Sequence, residues 1–171
     1  VAALVSTTDL NTVWGAAPND VWAAGGIYDL GTHSAGYLLH LESNRWRDTT
    51  SGIGLISALH GTSGSDLWAV GAKVYRGNGT TWTEQTLSGS NYYYGVWGAS
   101  ASDVWLVGTS AAQHWDGRQF NRVLTGTTST LRAVWGSSAT NVWAVGAGGF
   151  MTRLQDGAID CISCPALAPF V

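Results

Sequence analysis

The chain has 171 residues and a formal net charge of −3; 45% of its residues are hydrophobic and 11% charged. That is too apolar for a disordered chain, and eight scattered Lys and Arg give no electrostatic footprint for nucleic acid. No run approaches the roughly 18 apolar residues of a membrane span, while ten tryptophans and 23 glycines set the chain apart from average composition.

The first segment, Ala3-Leu4-Val5-Ser6-Thr7-Thr8, resembles Val123-Leu124-Thr125-Gly126-Thr127-Thr128 and reads as a stray outer strand. One phrase then occurs four times. It is Val13-Trp14-Gly15 with Asp20-Val21-Trp22-Ala23, Leu59-His60-Gly61 with Asp66-Leu67-Trp68-Ala69, Val96-Trp97-Gly98 with Asp103-Val104-Trp105-Leu106, and Val134-Trp135-Gly136 with Asn141-Val142-Trp143-Ala144. The two aromatic positions in each copy lie eight residues apart, and the copies step by 46, 37 and 38 residues. Each copy reads as a short apolar strand ended by glycine, a small-residue turn, and a second strand rich in β-branched and aromatic residues. A third strand follows, then a polar hairpin tip: Glu42-Ser43-Asn44, Asn78-Gly79-Thr80, Asp116-Gly117 or Asp156-Gly157. The fourth strand opens with an aromatic at Trp46, Trp82 or Phe120, and with Ile159 in the last copy.

A period of about 40 residues carrying four short antiparallel strands defines a propeller blade. The predicted fold is all-β: a β-propeller of four-stranded blades over residues 11–50, 57–88, 94–126 and 132–160. Residues 1–10 form the stray outer strand and 161–171 a C-terminal tail. That stray strand and Ile159-Asp160-Cys161-Ile162-Ser163 compete for one place, the fourth strand of the last blade. Either a four-blade ring closes with one end displaced, or the blades belong to a larger ring; an unclosed array leaves edges that must pair.

The combination of Val-Trp-Gly, Asp-Val-Trp-Ala-Val-Gly and Leu-His-x-Asp-Gly-x-x-Trp resembles the tryptophan-rich β-propeller repeats of myxobacteria and related bacteria. Residues 13–25, 40–46, 59–71, 76–82, 96–108, 114–120, 134–146 and 154–159 carry it. The organisation is also similar to propeller lectins of the tachylectin and fucose-binding types, which implies sugar sites between adjacent blades. Of the sialidase Asp box, only the hairpin idea survives, in Asn78-Gly79-Thr80-Thr81-Trp82. The sialidase arginine triad cannot be placed.

Asp20, Asp66, Asp103 and Asn141 precede the second strands. They are read as turn residues that accept backbone N–H bonds, rather than as a cation-binding ring of carboxylates. The repeated tryptophans are read as plugs between blades, with their indole N–H groups bonded to backbone. His40 and His114 share a repeat position that the hairpin spacing assigns to Arg76 and Leu154 in the other copies. His60 stands where the other copies have tryptophan and is read as a hydrogen-bonded core histidine. Two breaks in the repeat are candidate binding surfaces: the first-blade insertion within Gly26–Gly36, which holds Tyr28, Asp29 and His33, and the run Tyr92-Tyr93-Tyr94 between blades two and three.

Cys161 and Cys164 form a Cys-Ile-Ser-Cys pair that suits a local disulfide or plain thiols better than redox or metal chemistry. No catalytic motif, metal cluster or cofactor loop appears. The expectation is a non-enzymatic binding module of a secreted or cell-surface bacterial protein, without cofactors. Carbohydrate is its expected ligand, in inter-blade grooves rimmed by Tyr28, Asp29, His33, His40, Arg76, Tyr92, Tyr93, Tyr94 and His114. The alternative is a structural or protein-interaction subunit, homo-oligomeric or within a larger extracellular assembly.

Overall fold

The computed structural model describes residues 9–27, 35–50, 52–87, 91–109, 111–155 and 158–161. Tyr28, Asp29, His33, Cys164 and the segment Ala3–Thr8 lie outside the described residues. Blade one comprises β1 (Asp9–Ala17), β2 (Asp20–Ile27), β3 (Ala35–Glu42) and β4 (Arg45–Asp48). Blade two comprises β5 (Ile56–Ser63), β6 (Asp66–Gly71), β7 (Val74–Gly77) and β8 (Trp82–Gln85). Blade three comprises β9 (Tyr93–Ser100), β10 (Asp103–Gly108), β11 (Ala111–Trp115) and β12 (Phe120–Val123). Blade four comprises β13 (Leu131–Ser138), β14 (Asn141–Gly146), β15 (Met151–Gln155) and β16 (Ala158–Cys161).

Each blade is one antiparallel four-stranded sheet built from strands consecutive in the chain. β16 occupies the edge of β15, pairing Thr152 with Cys161 and Leu154 with Ile159. The first-blade insertion begins as an extension of its hairpin: Gly26 pairs with Gly36 and Ile27 with Ala35.

The blades stack in chain order through their innermost strands, β1 on β5, β5 on β9 and β9 on β13. No comparable interface joins β13 to β1 among the described residues, so the blades form an open array there. Each junction is a separate apolar core formed by two facing sheets. Trp22, Ala24 and Leu38 of blade one meet Ile56, Leu59, Leu67 and Tyr75 of blade two. Trp68, Val70 and Val74 meet Tyr93, Val96, Val104 and Leu106. Trp97, Trp105 and Val107 meet Leu131, Val142, Ala144 and Leu154. A blade is therefore apolar on both faces, which is why β6 and β10 read as nearly continuous hydrophobic runs rather than alternating ones.

The repeated glycine of the first strand has a steric role. A Cβ on Gly136 would lie 2.7 Å from Trp97 of the preceding blade, and one on Gly61 would lie 2.7 Å from Trp14. The Trp14 and Trp97 indoles thus each pack against a backbone position that has no side chain. Every innermost strand also carries two bulges at matching places, one just before the Val-Trp-Gly phrase and one just after it. Bulges re-aim side chains and raise local twist.

The hairpins correct one alignment. Blades two and three turn over four residues, with Gly77 opposite Trp82 and Trp115 opposite Phe120. Asn78 and Asp116 accept two backbone N–H bonds each in those turns, and Gly79 and Gly117 hold φ of 90° and 89°. Blade four turns over two residues, between Gln155 and Ala158. Counting back from Asp-Gly therefore lands one residue late. The partner of Trp143 is Arg153, not Leu154.

Gly136→Ala is expected to cost about 1–3 kcal/mol of stability in urea unfolding, as overpacking does. Shortening Trp97 in the same chain should recover part of that loss; strictly additive effects would remove the indole–glycine contact as the cause.

Candidate functional site

Correct register brings out one arrangement on every blade. Trp22 pairs across strands with His40, Trp68 with Arg76, Trp105 with His114 and Trp143 with Arg153. The position always carries a nitrogen base or cation. The acid that opens the second strand lies beside it. His40 Nε2 is 2.8 Å from Asp20 Oδ1, and His114 Nε2 is 2.8 Å from Asp103 Oδ1. Arg76 donates from Nε at 2.9 Å and from Nη2 at 2.7 Å to Asp66 Oδ1. The imidazoles stack on the indoles, at 3.8 Å and 11° from parallel for His40 on Trp22, and at 4.2 Å and 15° for His114 on Trp105. The Arg76 guanidinium lies 5.0 Å from the centre of Trp68 and 5.6 Å from that of Trp115.

These contacts change the reading of two repeated residue types. Asp20, Asp66 and Asp103 bind side chains of the third strand rather than capping their own turns. The buried indole N–H groups of Trp22, Trp68 and Trp105 have no hydrogen-bond acceptor among the described residues, so backbone there does not satisfy them. In blade four the exchange is visible: Asn141 Oδ1 accepts the Trp143 indole N–H at 2.9 Å, and Arg153 turns to the Thr140 carbonyl. A carboxylate holds the base and leaves the indole; a carboxamide holds the indole and releases the base.

His114 is thus a buried part of its stack, and His40 a largely covered part of its own. Arg76 is different. Its side chain remains one-third exposed at the floor of a groove of about 650 Å³ between blades two and three. Ser63, Ser65, Asn78, Thr81, Thr83 and Gln85 supply hydroxyl and amide walls. Arg76 Nη2 also reaches the Ala101 carbonyl of the next blade at 3.3 Å. A smaller groove, about 350 Å³, repeats the plan between blades three and four beside Asp103 and His114.

The tyrosine run divides along the strand. Tyr93 points into the core between blades two and three and is 3% exposed; burial raises its hydroxyl pKa above the ordinary value. Tyr92 and Tyr94 take the other side, partly exposed, with ring centres 4.8 Å apart. The Tyr92 hydroxyl bonds Ser57 Oγ at 2.8 Å, tying blade three to blade two. The groove around Arg76 is what residue-by-residue reading missed as a unit. The signal was present in Asp66 and Arg76 ten residues apart, once the acid and the base are seen as partners.

His60 occupies a tryptophan's place near the axis, between Trp14 at 6.2 Å and Trp97 at 6.3 Å. Its Nε2 bonds the Gly98 carbonyl at 3.2 Å. Burial lowers its pKa from the ordinary 6.5, and that bond opposes the shift.

No protein-family model matches the chain, and no curated protein matches it. Among solved structures the chain is similar to YCF48 bound to D1 peptide, at 14% identity and a TM-score of 0.60, over 92% of this chain and 55% of that one. The chain therefore spans about half the length of that protein. It also aligns with the WD40 β-propeller domain of Doa1 at 9% identity and a TM-score of 0.46, over 90% of this chain and 68% of that one. The fold is a β-propeller of four-stranded antiparallel blades.

Two substitutions test the stacks. Asp103→Ala leaves the buried His114 without its carboxylate and is expected to cost about 1–3 kcal/mol, whereas Asp103→Asn, the choice of blade four, should cost less; equal losses in denaturant titrations would refute the pairing. For His60, the unfolded state binds its proton more readily than the folded state. Stability linked to this residue is complete above pH 6.5 and falls as pH drops below that value toward the lowered folded pKa. Melting temperatures of His60→Gln should be flatter than wild type across that window.

Proposed function

We propose that the chain is a non-enzymatic binding module that seats an extended peptide or protein segment in the groove between blades two and three. The carrying observation is the Arg76 guanidinium. Nε and Nη2 are held by Asp66 and Ala101, and Nη1 makes neither contact. A fork fixed on one side and free on the other presents donors to a ligand carbonyl or carboxylate with little ordering cost. The hydroxyl and amide walls suit the alternating donors and acceptors of an extended backbone. Trp68 below is fully buried, so the groove floor offers no aromatic face to a sugar ring. The similar propeller YCF48, solved with D1 peptide, supports the same ligand class.

The binder reading, rather than an enzyme, rests on repetition. The acid–base pair recurs beside a tryptophan in blades one, two and three, which is how scaffold elements behave. Glycan binding is the second reading, and the partly exposed Tyr92–Tyr94 pair favours it. A secreted or cell-surface setting is proposed from the low charge content and the abundance of Trp, Gly, Ser and Thr.

Peptide and glycan arrays probed with the intact chain separate these readings. Peptide capture weakened about tenfold or more by Arg76→Ala, the scale of a lost charged hydrogen bond, supports the groove. Glycan capture that survives Arg76→Ala but is lost in Tyr94→Ala transfers the site to the tyrosines. Silence on both arrays overturns ligand binding of either kind.

A further inference from the structure

We propose that the groove at Arg76 is one compartment of a longer cleft between blades two and three, and that the segment seated there is acidic. One of its carboxylates meets Arg76 and a second meets Arg118. This inference rests on the peptide reading and specifies its ligand.

The cleft has two compartments. Beside the groove at Arg76 lies a second hollow of about 410 Å³, where the end of β8 faces the β11–β12 hairpin of blade three. Gln85 lines both compartments. The Ala101 carbonyl joins their walls, since it accepts Arg76 Nη2 at 3.3 Å and the Trp115 indole N–H at 3.2 Å. Strand alternation aims β8 at this cleft. Trp82 packs against Trp22 of blade one and Glu84 pairs with Lys73, which leaves Thr83 and Gln85 along the cleft. Leu87, Trp115 and Phe120 give the second compartment an apolar lining that the core between blades two and three holds in place.

Charge selects the ligand. The carboxylates beside the cleft are each engaged by the protein itself. Asp66 accepts the Thr62 hydroxyl at 2.6 Å as well as Arg76. Asp116 accepts the backbone N–H groups of Arg118 and Gln119 and the Asn121 side-chain amide. Glu84 holds Lys73 at 2.7 Å. The cations are not used up. Arg76 Nη1 lies outside the contacts that fix its fork. The Arg118 guanidinium makes no hydrogen bond or ion pair among the described residues. Gln85 Nε2 donates to the Thr83 carbonyl and Gln119 Nε2 to Asn121 Oδ1, at 3.1 Å each, so both amide oxygens are left as acceptors.

Each compartment therefore offers one unspent cationic donor and a neutral acceptor. An extended acidic peptide supplies the complement: carboxylates for the arginines and backbone N–H groups for the amide oxygens. The chain as a whole carries a net charge of −3, so it has no general attraction for such a peptide, and binding must arise from this local pair of cations.

Fluorescence polarisation of labelled oligoglutamate on the intact chain, with oligoglutamine of the same length as the neutral probe, tests this. Oligoglutamate is expected to bind about tenfold or more tightly than oligoglutamine, and Arg76→Gln to remove about tenfold of its affinity. Arg118→Gln should weaken it about threefold or more, the scale of an exposed ion pair. The Arg118 side chain is exposed, so its replacement should leave the circular dichroism unchanged. Arg45→Gln, on blade one, should leave the affinity as it was. Equal affinity for the two probes, lost for both in Arg76→Gln, keeps the peptide groove and overturns the acidic ligand. Weakening by Arg76→Gln but not by Arg118→Gln confines binding to the first groove and overturns the second compartment. Equal weakening by Arg45→Gln and Arg118→Gln is a general charge effect and overturns the inference as well. Failure of oligoglutamate to bind overturns it outright, while capture of neutral peptides on the array would leave the groove reading in place.

Discussion

A blade with two apolar faces cannot exist alone in water. Everything else in this molecule follows from that constraint. Trp68, Val70 and Leu67, Ala69 lie on opposite faces of the same strand, and all are buried because a neighbouring sheet lies on each side. Gly61 and Gly136 serve the same end. They let the preceding blade's indole approach to contact distance, so these two junctions are set by a large ring on bare backbone. Side-chain volume, not hydrogen bonding, joins the sheets; few polar bonds cross a junction, such as Thr12 Oγ1 accepting Leu59 N–H and Tyr92 on Ser57.

The acid–base–tryptophan stack is the polar counterpart of that packing. It sits where the second and third strands meet, at the rim of each inter-blade groove. In blades one and three the base is histidine, whose side chain is only 14% and 10% exposed. In blade two it is arginine, whose length carries its charge to the surface while Asp66 stays largely buried. One scaffold position thereby becomes a binding position through side-chain length alone. Blade four shows the other variable, since Asn141 bonds the indole and Arg153 leaves the stack.

Much of this was legible beforehand. The eight-residue spacing of Trp14 and Trp22, and its recurrences, places the pair opposite each other across one tight turn, and the structure pairs them so. The hairpin tips at Asn78 and Asp116 were readable because Asx and glycine chemistry is local. The stack was not readable, for a geometric reason. Its members are joined by register, and register in blade four depends on whether the hairpin holds two residues or four, which Asp156-Gly157 alone does not reveal. Hence Leu154 stood in for Arg153, and a position that always holds a base looked indifferent to charge. The tyrosine run followed simple alternation: Tyr93 had to face the core once β9 was fixed, leaving Tyr92 and Tyr94 outside.

The strand order has a consequence for how the chain reaches this state. Every sheet is assembled by hairpins from a contiguous stretch of about thirty to forty residues, and none borrows a strand from a distant part of the sequence among the described residues. Nearest-neighbour construction of this kind makes contact order low for an all-β protein and lets folding nucleate locally and spread.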